Sequence, residues 1–400
     1  MFTKSLILTT AILLFPVCQL QADIIHSTWV GSAGGSWYDE NNWSPPIVPN
    51  NTVWDRFEVS IDSYDYRVSI GIGDSPPISI DKLECRGDIT LYGPWYPVKL
   101  TLEKEGLINY GELDVLRIDI TGILTNKGGA VLNLDEFFSA HGNLYNEPNA
   151  ELQVVYRNIE IVDANIVNNG LIRAVSNGAL EADIDFGNSG RIELFDGGIS
   201  GDTFDNNDTG VVEGFGFVNT EQLTLNKGIV YALGGALVVR SGGSIMNNGI
   251  LGNKPLATLN IWSIADVNNF GTIEVNAGGG VAYYFNLVNE PNAVITLLNG
   301  TLAAKTITQK VGAIFKGFGG ITGDIIIEPN AIVELTGPTN IVGNMTIGEG
   351  AILDISNGIV LVTGDITCNN GIIQTTNGTF IVLGKQFGIC QRKFIDVLSP

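Results

Sequence analysis

Asn269-Phe270-Gly271-Thr272-Ile273-Glu274-Val275 is the stretch from which the fold can be read. Asn and Gly are residues that tolerate a sharp corner. The four residues after them alternate polar and apolar, which is the pattern of a strand with one face in a core and one in water. The same phrase recurs as Asn109-Tyr110-Gly111-Glu112-Leu113-Asp114-Val115 and as Asn188-Ser189-Gly190-Arg191-Ile192-Glu193-Leu194. A second version replaces the Gly corner by Glu-Pro-Asn-Ala, beginning at Glu147, Glu290 and Glu328, where Pro pre-sets the bend.

Taking the first inward residue after each corner gives Leu113, Leu132, Leu152, Ile172, Ile192, Val212, Val230, Leu251, Ile273, Ile295, Ile314, Val333, Leu353 and Ile373. The spacings run from 18 to 22 residues, and so regular a period is the signature of a solenoid. Each unit holds a second alternating piece, such as Leu237-Val238-Val239 or Ile359-Val360-Leu361. A third precedes the next corner, such as Ser244-Ile245-Met246 or Asp365-Ile366-Thr367. Three strands and three corners make one rung of a right-handed parallel β-helix with about 20 residues per coil, an all-β fold. No sustained 3.6-residue apolar stripe with caps is present, so helices are expected to be rare. Gly170 and Gly249 are expected to take the left-handed conformation at the corners. Asn126, Asn168, Asn188, Asn226, Asn269 and Asn369 are placed to hydrogen-bond rung to rung as a ladder. At ~4.8 Å per rung, fourteen units make a rod of roughly 65–70 Å.

The ends differ in texture. Residues 1–22 carry Lys4, an apolar run from Leu6 to Val17 and a small-residue approach to Ala22, the layout of a secretory signal peptide. Cleavage near Ala22 is expected rather than lipidation of Cys18, because Pro16 and Val17 stand where small residues are wanted. Residues 23–54 place Trp29, Trp37 and Trp43 among Gly, Asn and Pro, as in Ser27-Thr28-Trp29-Val30-Gly31 and Asn41-Asn42-Trp43-Ser44-Pro45. This segment resembles the opening of secreted bacterial autotransporter-like and surface parallel β-helix proteins of the pectin-lyase-like kind; the resemblance implies an extracellular solenoid and no particular activity. Large aromatics here are expected to cover the open end of the first coil, the alternative being that they stack on sugars. The β-helix is assigned to 55–383, with irregular first coils around Val68, Ile78, Ile89 and Val98 and regular ones from about 103. Residues 384–400 break the pattern and are read as a C-terminal cap or end segment.

Composition bounds the partners. The chain has 42 Asp+Glu against 21 Lys+Arg, and loss of 1–22 removes one more cation, Lys4. So acidic a surface repels phosphate backbones and excludes nucleic acid as a partner, while keeping a long apolar-cored object soluble. No mature transmembrane segment is expected, since no later stretch has the required apolar length. Of the cysteines that remain, Cys85 reads as a small buried apolar residue. Cys368 and Cys390 lie 22 residues apart, close to one repeat, and an oxidising compartment would let them bond across adjacent coils.

Residues that could carry chemistry are few. The only histidines are His26 and His141, and Ala140-His141-Gly142 lacks the context of pectin hydrolases. Asp183-Ile184-Asp185 puts two acids on one strand face, and Asp202, Asp205 and Asp208 form the densest acidic stretch; these three are candidate binding residues, the alternative being solvated turn residues. Arg157, Arg173, Arg191 and Arg240 fall at outward positions, with Arg173 and Arg191 flanking Glu193. Trp95, Tyr96, Tyr283 and Tyr284 are the aromatic candidates for binding a polysaccharide or other surface component. No catalytic residue, metal site or cofactor is assigned. The expected role is that of a secreted or cell-surface structural or adhesive β-helix; the alternatives are a polysaccharide lyase or glycoside hydrolase on this scaffold, or a non-catalytic carbohydrate-binding module.

Overall fold

A computed structural model describes residues 23–62, 66–69, 76–93, 98–135, 139–156 and 158–394. They form a parallel β-solenoid of about 16 turns, roughly 20 residues each. Its 36 strands belong to one continuous sheet. Among the described residues the single antiparallel pairing sets Thr28 and Trp29 against Ser44 and Trp43. Among the described residues the helical content is one 3-10 turn, Glu40–Asn42. The signal-peptide reading of 1–22 concerns residues outside this description.

Each rung has three faces. In the rung that begins at Glu112, the first face is Glu112–Leu116, the second Ile118–Thr121 and the third Leu124–Asn126. The alternation read from the sequence holds: Leu113 and Val115, Ile118 and Ile120, and Leu124 are fully buried, while the residues between them face out. Each such Leu or Ile withdrawn from water contributes roughly 1.5–3 kcal/mol, and a solenoid accumulates this term rung by rung. The early coils are present as Tyr66–Ser69, Ile78–Arg86, Asp88–Tyr92 and Val98–Asn109.

The first-face column runs Leu113, Leu132, Leu152, Ile172, Ile192, Val212, Val230, Leu251, Ile273 and Ile295 in unbroken register. The next member is Phe315, paired with Ile295 and then with Val333; Ile314, expected inside, is 45% exposed. Two apolar residues stand side by side after the Ala313 corner, and a one-residue slip exchanges the faces. Phe315 fills the core and Ile314 is left outside.

The corners work by two devices, only one of which was expected. In the Pro-Asn-Ala corners Asn149, Asn292 and Asn330 have φ of 66°, 71° and 62°, the left-handed region that Asn tolerates. Gly170 and Gly249 do not adopt positive φ. Glycine is required there because the rungs stack so closely: a Cβ on Gly170 would lie 2.3 Å from the Ala150 carbonyl oxygen, and one on Gly249 would lie 2.0 Å from that of Gly228.

The asparagines at the end of the third face stack into a ladder. Asn109, Asn126, Asn146, Asn168, Asn188, Asn206, Asn226, Asn247, Asn269 and Asn289 each donate from Nδ2 to the next side-chain oxygen at 2.7–2.9 Å, ending on Gln309. The second Nδ2 hydrogen goes to a backbone carbonyl of the adjoining rung, as from Asn126 to Glu151 at 2.8 Å. All of these residues are buried. The column continues as Ile327, Ile347 and Cys368. Asn369, expected in the ladder, is one position beyond the column and exposed.

At the N-terminal end Asp23–Trp29 lies parallel to Asp55–Asp62, and the intervening chain folds over it. Trp29, Trp37 and Trp43 are at most 4% exposed. Their rings meet edge to face at 4.9 and 4.7 Å. The indole N–H of Trp43 donates to the Trp37 carbonyl at 2.8 Å, and that of Trp37 to Pro49 at 3.1 Å. No ring face is left open for a sugar. At the other end Cys368 and Cys390 form a disulfide, with Cα atoms 5.3 Å apart, that ties Gln386–Phe394 to the preceding rung. Cys390 stands two residues past Gly388, the register partner of Cys368, where the pairing shifts. Cys85 is a buried free thiol, and burial pushes its pKa up.

Candidate functional surfaces

The outward residues of the first face form charge ladders. Arg173 Nε binds Glu193 at 2.9 Å and its guanidinium also reaches Glu151; Arg191 Nε binds the other Glu193 oxygen at 2.8 Å and reaches Glu213. Burial opposes ionisation of Glu193, but the hydrogen bonds from Arg173 and Arg191 outweigh it and hold this carboxyl below its ordinary range. A second network surrounds Asp81, only 2% exposed, which contacts Arg56 at 2.6 Å and Lys104 at 2.5 Å and accepts from Asn51 at 3.0 Å. Its desolvation is likewise overcome, and its pKa is lowered. In both networks the acids are paired with groups of opposite charge.

The second face and the corner after it are different. One outward column runs Asp119, Ser139, Glu160, Glu181, Ser200, Asn219, Arg240 and Trp262. Between Asp163 and Glu221 a groove of about 640 Å³ is lined by Glu181, Asp183 and Asp202, over a floor that includes Ala182 and Phe217. The Asp163 N–H donates to Asp183 at 3.1 Å, and Gln222 donates to Asp202 at 3.2 Å. Glu181 holds its proton to higher pH than a free carboxyl, first because it is partly withdrawn from water and then because Glu160, Asp183 and Glu221 surround it. No Lys, Arg or His is among the described lining residues. The charged groups among the described lining residues are therefore all carboxylates, which can attract cations or share a proton.

Further along the same face the Trp262 and Tyr284 rings stack at 3.5 Å and 18°. Arg240 lies 5.9 Å above the Trp262 ring from the rung before. Phe285 and Ile264, at the adjoining corner, are 40% and 70% exposed.

The sequence candidates are dispersed by this geometry. Tyr284 is exposed, but Tyr283 points into the core, 3% exposed, and burial raises its pKa. Trp95, Tyr96 and Arg157 lie outside the described residues. Asp202 lines the groove, whereas Asp205 is exposed on the third face and Asp208 sits in the turn beyond it, so the three acids do not converge. Asp183-Ile184-Asp185 is not one regular face either. The pairing shifts between Ala182 and Asp185, and Asp183 goes to the groove while Asp185 accepts from Thr203. His26 faces Glu58 at 3.3 Å and His141 faces Asp119 at 3.6 Å, far apart in the rung order. Among the described residues no group of three His, Cys, Asp or Glu could hold a metal ion. No described helix is long and apolar enough to cross a membrane.

Sequence reasoning missed Glu181, Glu221, Trp262 and the stacking of Trp262 on Tyr284. The signal was available in the 22-residue spacings of Arg240, Trp262 and Tyr284, one coil apart on the outward phase of the second strand. Comparison with protein-family models, with curated proteins and with solved structures finds no match to this chain.

Proposed function

We propose that this chain is a secreted bacterial surface protein whose work is structural or adhesive, performed by the side of the rod rather than by a catalytic pocket. The observation that carries this reading is the continuity of rung-to-rung pairing, in which register shifts amount to a few residues and, among the described residues, no long loop interrupts the stack. The secretory layout of 1–22 and the likeness of 23–54 to autotransporter-like β-helix proteins support an extracellular setting. The acidic composition supports a solvated outer surface. Protease shaving of intact producing cells, with immunodetection of the chain in medium, surface and cell fractions, tests it: the chain is expected in medium or at the surface, and retention in the cytoplasm would contradict the reading.

A second reading is favoured by one feature, the groove that raises the Glu181 pKa beside further carboxylates. Paired acids of unequal pKa are what glycoside hydrolysis employs. A polysaccharide-cleaving activity would have to be mounted there, and it predicts product release that Glu181→Gln abolishes.

A further inference from the structure

The acidic groove and the aromatic patch lie on the same side of the rod, a few rungs apart, and are opposite in character. One is concave and carries Asp163, Glu181, Asp183, Asp202 and Glu221, with Glu160 in the neighbouring rung. The other projects Trp262, Ile264, Tyr284 and Phe285, each at least 40% exposed. The patch is flanked by cations: Arg240 stands over Trp262 on one side, and Lys305, exposed, follows on the other, where its N–H donates to the Phe285 carbonyl at 3.1 Å. Exposed Trp, Tyr and Arg clustered on a chain this acidic have the composition of a binding hot spot.

The ring geometry indicates what the patch receives. A sugar needs an open aromatic face, but Trp262 has Tyr284 at 3.5 Å on one face and the Arg240 guanidinium 5.9 Å from its centroid, in the rung before. The stack turns ring edges outward, which suits a protein surface bearing carboxylates. The groove on this same chain is such a surface.

We infer that two copies associate side by side and antiparallel through this stripe, about a two-fold axis passing between the Asn219 and Arg240 rungs. Such an axis reverses the rung order, so both complementary contacts form at once, as an isologous interface requires. Counting rungs outward from it, Arg240 meets Glu221 of the second copy and the Trp262 rung meets that of Asp202. The Tyr284 rung then meets that of Glu181 and Asp183, and Lys305 meets Glu160 and Asp163. Because both copies share one rung spacing of ~4.8 Å, the match persists along the whole stripe. Antiparallel pairing closes the interface, giving a dimer and not a fibre. The inference stands whether or not the outer surface of the rod is adhesive.

Sedimentation equilibrium of the purified secreted protein over a range of concentrations tests it, alone and with a panel of soluble polysaccharides. The wild type is expected to be a dimer whose affinity falls with salt. Arg240→Glu and Glu221→Arg should each raise the dissociation constant at least tenfold, with unchanged circular dichroism. The double variant Arg240→Glu/Glu221→Arg should restore association, because each reversed charge again faces its opposite. A wild type that stays monomeric at every concentration would overturn the inference. So would a dimer indifferent to either single reversal, a double variant no tighter than the singles, or a monomer that engages a polysaccharide through Trp262.

Discussion

Asn188 hangs between two neighbours, accepting from Asn168 at 2.8 Å and donating to Asn206 at 2.8 Å, and all three are buried. Truncation at this point leaves a donor on Asn168 and an acceptor on Asn206 unpaired, at about 1–3 kcal/mol for each buried group stranded. Asn188→Ala is therefore expected to lower the denaturant midpoint markedly without changing the slope of the transition; a shift no larger than that of a surface Ala substitution would show the ladder to be ornamental. Leu256 makes the opposite case. It has φ of 67°, where the Pro-Asn-Ala corners place Asn, and it is 82% exposed. Leu256→Asn relieves a left-handed conformation that costs an ordinary residue about 1 kcal/mol, and thermal melting should show a gain of that order. At this scale the sequence was legible wherever alternation was clean. It misled at Ile314 and Phe315, where two adjacent apolar residues satisfy either register, and at Gly170 and Gly249, where close approach of the next rung and not φ demands glycine.

Among the elements, the outward ladders contribute in proportion to what their pKa shifts imply. Glu193 is held below its unfolded value by Arg173 and Arg191, so its stabilisation is present above the ordinary Glu range near pH 4.3 and is lost as pH falls through the folded value. Glu181 has the opposite sign: its raised pKa favours folding below the unfolded value and that contribution is lost as pH rises. Arg173→Ala should thus cost less than about 1 kcal/mol at neutral pH and nothing in strong acid. Glu181→Gln should raise the melting temperature at neutral pH and lose that advantage in acid. Melting curves across pH that give the same sign for both variants would refute the assignment. The last strand, Gln386–Phe394, is tied down by one disulfide, with Phe387 and Ile389 49% and 71% exposed. Cys390→Ser should accelerate amide exchange in this strand and leave the middle rungs as they are, since a solenoid is coupled only to nearest neighbours. Uniform acceleration along the rod would contradict that picture.

For the whole molecule, period and alternation sufficed to derive the stacked rungs, because a solenoid's long-range contacts repeat at a fixed sequence distance. Its surface features were less legible. The groove is assembled from residues of successive coils, Asp163, Glu181, Asp202 and Glu221, none of which is a motif in one dimension. The stack of Trp262 on Tyr284 likewise exists only across rungs. Charge ladders and the asparagine ladder serve continuity of the rod, whereas in the groove carboxylates gather with no cation among its described lining residues. The central claim, that the surface and not catalysis is the function, is met most directly by incubating the purified protein with a panel of acidic and neutral polysaccharides, with and without Ca²⁺, and assaying product release. No release above the buffer blank is expected from any of them; release that disappears in Glu181→Gln would contradict a surface function.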